Sequence, residues 1–163
     1  MSSFNEQVQY NGQRVKSIME NPNLQSEIYA AFKSRGLNSK TFKENFMENT
    51  PLFNQIVASV AHKIKKGNIL SHTYAGIVAS IADQYDVDYK VKSGVCFPPN
   101  YTNSPVALED KEVIKKGKES GNEHPLFPNH TYIECGDKTY EYYRGYTEGI
   151  EKVDVVEVDL NEK

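Results

Sequence analysis

The sequence predicts an α+β domain, and three observations carry that reading. Apolar residues recur at helical spacing through the first half of the chain. After Asp86 the period drops from about 3.6 to 2. The last third then carries short alternating runs joined by a Gly-Asp pair. Helices first and strands afterwards give segregated α+β architecture: a helical segment, then a core helix packed on a small antiparallel sheet.

Punctuation divides the helical half. Segment 4–20 stops at Asn21-Pro22, and segment 22–35, with Leu24, Ile28, Ala31 and Phe32, stops at Gly36. Ser39 can cap a short helix holding Phe42, Phe46 and Met47. Thr50-Pro51 supplies an N-cap hydroxyl followed by proline at the first helical position, where its missing N–H costs nothing. Ile56, Val57, Val60, Ala61 and Ile64 then share one stripe, and Gly67 ends the helix. A further helix spans about 71–85, with Tyr74, Ile77, Val78, Ile81, Ala82 and Tyr85 on its buried face. Its Ala75 and Gly76 are small enough for a close neighbour.

The strands follow. Val87, Tyr89 and Val91 alternate with Asp88, Lys90 and Lys92, the pattern of a half-buried strand, which Gly94–Phe97 can extend. The segment 98–128 is rich in Pro, Asn, Lys and Glu, and its length suits a lid or binding loop; Ser104-Pro105 can open a helix within it. Strands at 129–135 and 138–144 flank Gly136-Asp137, a pair suited to a type II′ turn. A last strand covers 153–160.

Composition narrows the function. The chain has 163 residues, a net charge of -3, two cysteines and no tryptophan. Residues 1–70 carry a balance of +4 and residues 71–163 one of -7. There is no basic stripe, glycine-rich phosphate loop or zinc pattern, so nucleic acid is not an expected partner. No apolar run reaches membrane-spanning length, and the first residues lack the apolar core of a signal peptide. Cys96 and Cys135 form no CxxC. The expectation is a soluble cytoplasmic protein with no metal and no cofactor.

The hairpin gathers chemistry on one face. If Cys135 pairs with Lys138, then Tyr132 faces Glu141 and His130 faces Tyr143. His130, Tyr132 and Glu134 share a face with Thr139, Glu141 and Tyr143, whereas Cys135 points the other way. A histidine beside a carboxylate is the base half of a nucleophilic triad; the bland alternative is a polar surface hairpin. The missing half is a nucleophile at a helix N-terminus, where free amides and the helix dipole favour developing negative charge. Ser71 opens the buried helix there, and its bland reading is an ordinary N-cap.

Two other arrangements are weaker. His72-Thr73-Tyr74 and His130-Thr131-Tyr132 repeat one tripeptide, but two-histidine phosphoesterases carry Thr or Ser at the third place, and both copies on strands. His72, His124 and His130 lack metal-ligand spacing such as HExxH.

Taken together, LSHTYAGIVASIADQYDVDYKVKSG and HTYIECGDKTYEYY resemble the transglutaminase-like superfamily, a branch of the papain-like cysteine proteases and acyltransferases. Members read G-x-C-x-G-Y-A at a helix start and H-A-W-x-E-V-x-G-K-W-Y-x-x-D in the hairpin. Tyr74-Ala75, Ser93-Gly94, His130, Glu134, Lys138 and Tyr140 match, over about residues 65–145. The resemblance implies a helical N-terminal segment, 1–66, and a papain-like core, 67–163, with a lid at 98–128. It implies acyl transfer or hydrolysis on a peptide or amide, with Ser71 as nucleophile, His130 as base and Glu141 as orienting acid. Tyr143, Tyr132 and Tyr74 would border the substrate or a bound protein partner. Two family positions differ: Ser71 stands where the catalytic Cys belongs, and Tyr143 stands where the Asp belongs. A serine hydroxyl is not ionised as a thiol is. Three readings stay open: a degenerate, non-catalytic peptide-binding domain, a working Ser/His/Glu variant, or an engineered replacement of Cys.

Overall fold

Asn21-Pro22, Gly36 and Gly67 divide the first half of the chain into helices. In this computed structural model the described residues are 4–38, 41, 50–97 and 130–161. They form α1 (Phe4–Met19), α2 (Leu24–Lys33), α3 (Thr50–Ile64), α4 (Ser71–Gln84), β1 (Lys90–Phe97), β2 (His130–Cys135), β3 (Lys138–Tyr140) and β4 (Glu151–Val158). The class is α+β. The helix expected after Ser39 and the lid expected at 98–128 lie outside the described residues.

Helix ends follow their local chemistry. After α2, Gly36 adopts φ +68°, and the Leu37 amide bonds back to the Phe32 carbonyl at 3.0 Å. Such a left-handed residue satisfies carbonyls that the helix leaves open. Gly67 closes α3 in the same left-handed region, at φ +97°.

Helix α4 is the centre of the fold. Every residue from His72 to Ala82 is buried, not only the predicted stripe. The reason is that α4 meets β2, α1 and α3 on different sides. A helix enclosed this way has no solvent face to keep polar. Gly76 is where α1 crosses it: a Cβ added there would lie 2.6 Å from Ile18 Cβ and 3.0 Å from the Val15 carbonyl oxygen. One apolar cluster runs through all four helices and the sheet, from Val8 through Phe53, Ile77 and Ile133 to Val158. The helical segment 1–66 and the region from 67 onward therefore share a core.

The sheet is antiparallel with strand order β3-β2-β1-β4. Its hairpin register is the predicted one, with Cys135 opposite Lys138, Glu134 opposite Thr139 and Ile133 opposite Tyr140. Gly136 has φ +61° and Asp137 has no positive φ, as a type II′ turn requires.

Strand limits differ in three places. The strand expected from Val87 starts at Lys90, because the Val87 amide still bonds the Ala82 carbonyl at 2.8 Å and closes the helix. The strand expected over 138–144 stops at Tyr140. Glu141 turns inward there to bond His130, and the chain reverses through the Tyr143–Tyr146 bridge, with Arg144 and Gly145 at positive φ. The last strand sits two residues earlier than expected, at Glu151–Val158. No helix among the described residues is long and apolar enough to cross a membrane.

Candidate active site

The start of α4 meets the start of β2. Leu70, in extended conformation, is the N-cap of α4, and no side chain caps the helix. Its first turn also holds no acidic residue. Ser71 is therefore the first helical residue rather than the cap, which corrects the bland reading of its hydroxyl. The hydroxyl reaches across to β2, where its Oγ accepts from the Thr131 amide at 3.4 Å. Strand β2 thus brings the residue next to His130 against the nucleophile candidate.

His130 and Glu141 form a buried pair. His130 Nε2 lies 2.7 Å from Glu141 Oε1, with His130 fully enclosed. The His130 ring stacks on Tyr132 at 5.5 Å and meets the edge of Tyr143 at 5.4 Å. These neighbours are the ones hairpin parity anticipated, although β3 itself ends before Glu141. The other ring nitrogen, Nδ1, is buried without a hydrogen-bond partner among the described residues.

Lys152 completes the group and was not legible in the sequence. Its Nζ lies 2.8 Å from Glu141 Oε2 and 2.9 Å from Oε1, and donates to the Ile150 carbonyl at 3.2 Å. It reaches the carboxylate because β4 runs beside β1, which places Lys152 opposite Cys96. No local pattern encodes that adjacency.

Protonation follows from these contacts. Burial alone would raise the Glu141 carboxyl, but hydrogen bonds from His130 and Lys152 outweigh it and hold the group below the usual carboxylate range. Burial pushes His130 down; Glu141 opposes the shift and Lys152 adds to it. The resting pair is an ionised carboxylate and a neutral imidazole. A carboxylate can only accept, so the imidazole proton sits on Nε2 and Nδ1 carries a lone pair. That is the protonation state of a general base oriented by an acid.

The backbone of His130 is anchored as well. Asn11 Nδ2 donates to Ser93 Oγ at 3.0 Å, and Ser93 Oγ donates to the His130 carbonyl at 3.0 Å. All three groups are buried, and they tie α1 through β1 to β2.

The remaining candidates fall into two classes. Tyr143 lines a pocket of about 680 Å³ that also includes Ser71, His72, Arg14, Tyr142 and Arg144. Tyr74 and Tyr132 line no described pocket; both are buried. Tyr74 donates to Asn54 Oδ1 and stacks on Tyr142, while Tyr132 packs between the His130 ring and the Lys152 ammonium. They support the pocket wall and the dyad from behind. Cys96 and Cys135 are buried, and burial pushes both thiols up to about 12, so neither is poised as a nucleophile. No cluster of three metal-binding side chains occurs among the described residues.

No protein-family model, curated protein or solved structure matches this chain.

Proposed function

We propose that this chain is a transglutaminase-like domain that works on a peptide or amide by acyl transfer or hydrolysis. The observation that carries the reading is the state of His130. Its Nε2 is held by Glu141, its buried Nδ1 has no hydrogen-bond partner among the described residues, and the amide of the next residue, Thr131, meets the Ser71 hydroxyl at the start of α4.

The residues then divide the work. His130 Nδ1 takes the Ser71 proton as Oγ attacks the carbonyl carbon. Glu141 stays ionised and steadies the imidazolium that forms. The amide of Ser71, in the uncapped first turn of α4, donates to the developing oxyanion. The imidazolium returns its proton to the leaving amine, which departs and leaves an ester on Ser71. Water or an incoming amine, deprotonated by the same nitrogen, resolves that ester. A thiol at position 71 would follow the same route with a better nucleophile.

A second reading has its own support. The Ser71 hydroxyl is engaged by the Thr131 amide and makes no hydrogen bond to the imidazole. A cleft with that arrangement binds a peptide without cutting it.

Alkylation separates the two. In the Ser71→Cys variant, the introduced thiol is treated with iodoacetamide at pH 6. A free thiol there is only about 0.3% ionised. Activation by His130 predicts labelling at least about tenfold faster than free cysteine, lost again when His130→Ala is added. Labelling at the free-thiol rate in a folded Ser71→Cys protein selects the binding module. Cys96 and Cys135 contribute little background because both are buried.

A further inference from the structure

The pocket beside Ser71 has a charge opposite to that of the chain. The protein carries a net charge of -3, yet this pocket is lined by Arg14 and Arg144, beside His62 and the buried His72, whose pKa, lowered to about 4, keeps it neutral, and by no acidic side chain among the described residues. Arg14 comes from α1 and Arg144 from the turn after β3, so two distant parts of the sequence converge on it.

Among the described residues no carboxylate pairs with Arg14 or Arg144; each lies over a tyrosine ring, Arg14 at 5.4 Å from Tyr10 and Arg144 at 5.2 Å from Tyr143. The nearby carboxylate of Glu141 is already committed to His130 and Lys152. Arg144 is held at φ +50°, a left-handed conformation uncommon for a side chain of its size. The pocket floor adds the uncapped first turn of α4, contributed by Leu70, Ser71 and His72. Two guanidinium forks with no carboxylate partner among the described residues and a helix start with no side-chain cap line one cavity, a combination suited to an oxyanion.

We infer that this pocket selects substrates, or bound peptides, that carry a carboxylate next to the group presented to Ser71. Arg14 and Arg144 grip that carboxylate. The inference deepens the proposed function, and as a statement about substrate it rests on that reading; the grip on the acidic peptide does not.

Calorimetric titration of the whole chain tests it, using a blocked pentapeptide with two glutamates, its glutamine counterpart, and inorganic phosphate. The glutamate peptide is expected to bind at least about tenfold more tightly, as hydrogen bonds to charged groups imply. Arg14→Gln and Arg144→Gln are each expected to weaken it about fivefold or more. Arg35→Gln, on another part of the surface, leaves it unchanged. Equal affinity for the two peptides overturns the inference, as does indifference to both arginine substitutions in folded variants. Phosphate binding that depends on both arginines, with no preference for the glutamate peptide, overturns the carboxylate assignment and identifies a phosphate site. The alkylation result is independent. Slow labelling with intact glutamate preference removes the reaction and keeps the pocket; fast labelling with no preference does the reverse.

Discussion

Glu141 accepts from His130 on one side and from Lys152 on the other, at 2.7 and 2.8 Å. The carboxylate is almost fully buried, and Lys152 is only about one-fifth exposed, at 19%. The ammonium therefore balances the carboxylate and leaves the imidazole free to remain neutral. Removing Lys152 shifts that duty to the histidine. In Lys152→Met the His130 pKa is expected to rise, because the carboxylate then draws a proton onto the ring. Titration of the imidazole Hε1 resonance by NMR checks this, and an unchanged or lower value contradicts it. Glu141→Gln should cost about 1–3 kcal/mol in a urea titration, because it takes the carboxylate away from the half-buried Lys152 ammonium and from His130.

Acid should destabilise the fold through His72. Burial, with Arg14 and Lys65 adding to it, lowers this imidazole to about 4. A base held below its ordinary value binds fewer protons folded than unfolded. Its stabilisation is therefore complete above about pH 6.5 and drains as the pH falls toward 4. The loss should be on the order of 3 kcal/mol between pH 7 and pH 4. His130 and Glu141, both lowered, push in the same direction. His72→Gln should flatten the stability profile between pH 6.5 and 4 relative to the parent chain, and a profile just as steep would contradict this.

The crossing at Gly76 should tolerate no added methyl group. With only 2.6 Å from its virtual Cβ to Ile18 Cβ, Gly76→Ala forces α1 away from α4. Overpacking of this kind costs about 1–3 kcal/mol, more than the helix propensity gained. Ile18→Gly, which removes that Cβ, should show a favourable coupling with Gly76→Ala in a double-mutant cycle.

Leu70 offers a stabilising change with a functional penalty. It is exposed, caps α4 and provides no side-chain acceptor. Leu70→Ser should raise stability by about 0.5–1 kcal/mol by satisfying a first-turn amide. The same hydroxyl takes up the His72 or Thr73 amide, one of the first-turn donors that favour a thiolate at the helix start, so the Ser71→Cys thiol should alkylate more slowly in its presence. A higher melting temperature with unchanged labelling would show that these amides play no part.

The legible portion of the fold was the local portion. The stripe of α4, the Gly136 turn and the pairing of Cys135 with Lys138 follow from spacing and turn chemistry within a few residues. Strand parity put His130 and Glu141 on one face, but the ladder stops before the expected Tyr132–Glu141 and His130–Tyr143 pairs, and the contact forms as Glu141 leaves the strand. The strand that breaks off at Tyr140 did not, because its end is set by a side chain seeking a partner in the interior. Lys152, Arg14 and Arg144 were hidden for a related reason. Arg14 and Arg144 meet Ser71 across long stretches of sequence, and Lys152 reaches Glu141 across an irregular turn, so their proximity depends on strand order and on how α1 crosses α4. The N-cap role assigned to Ser71 moved by one residue, which freed its hydroxyl for β2.

The relay from Asn11 through Ser93 to the His130 carbonyl has a mechanical consequence. Asn11 and Arg14 stand one turn apart on the same helix, the first tethered to the strand that carries His130 and the second lining the cavity. Two buried hydrogen bonds are all that separate that helix from the imidazole's own backbone. The wall of the cavity and the strand that carries the buried imidazole are thus fastened to one helix, so neither can be repacked without the other.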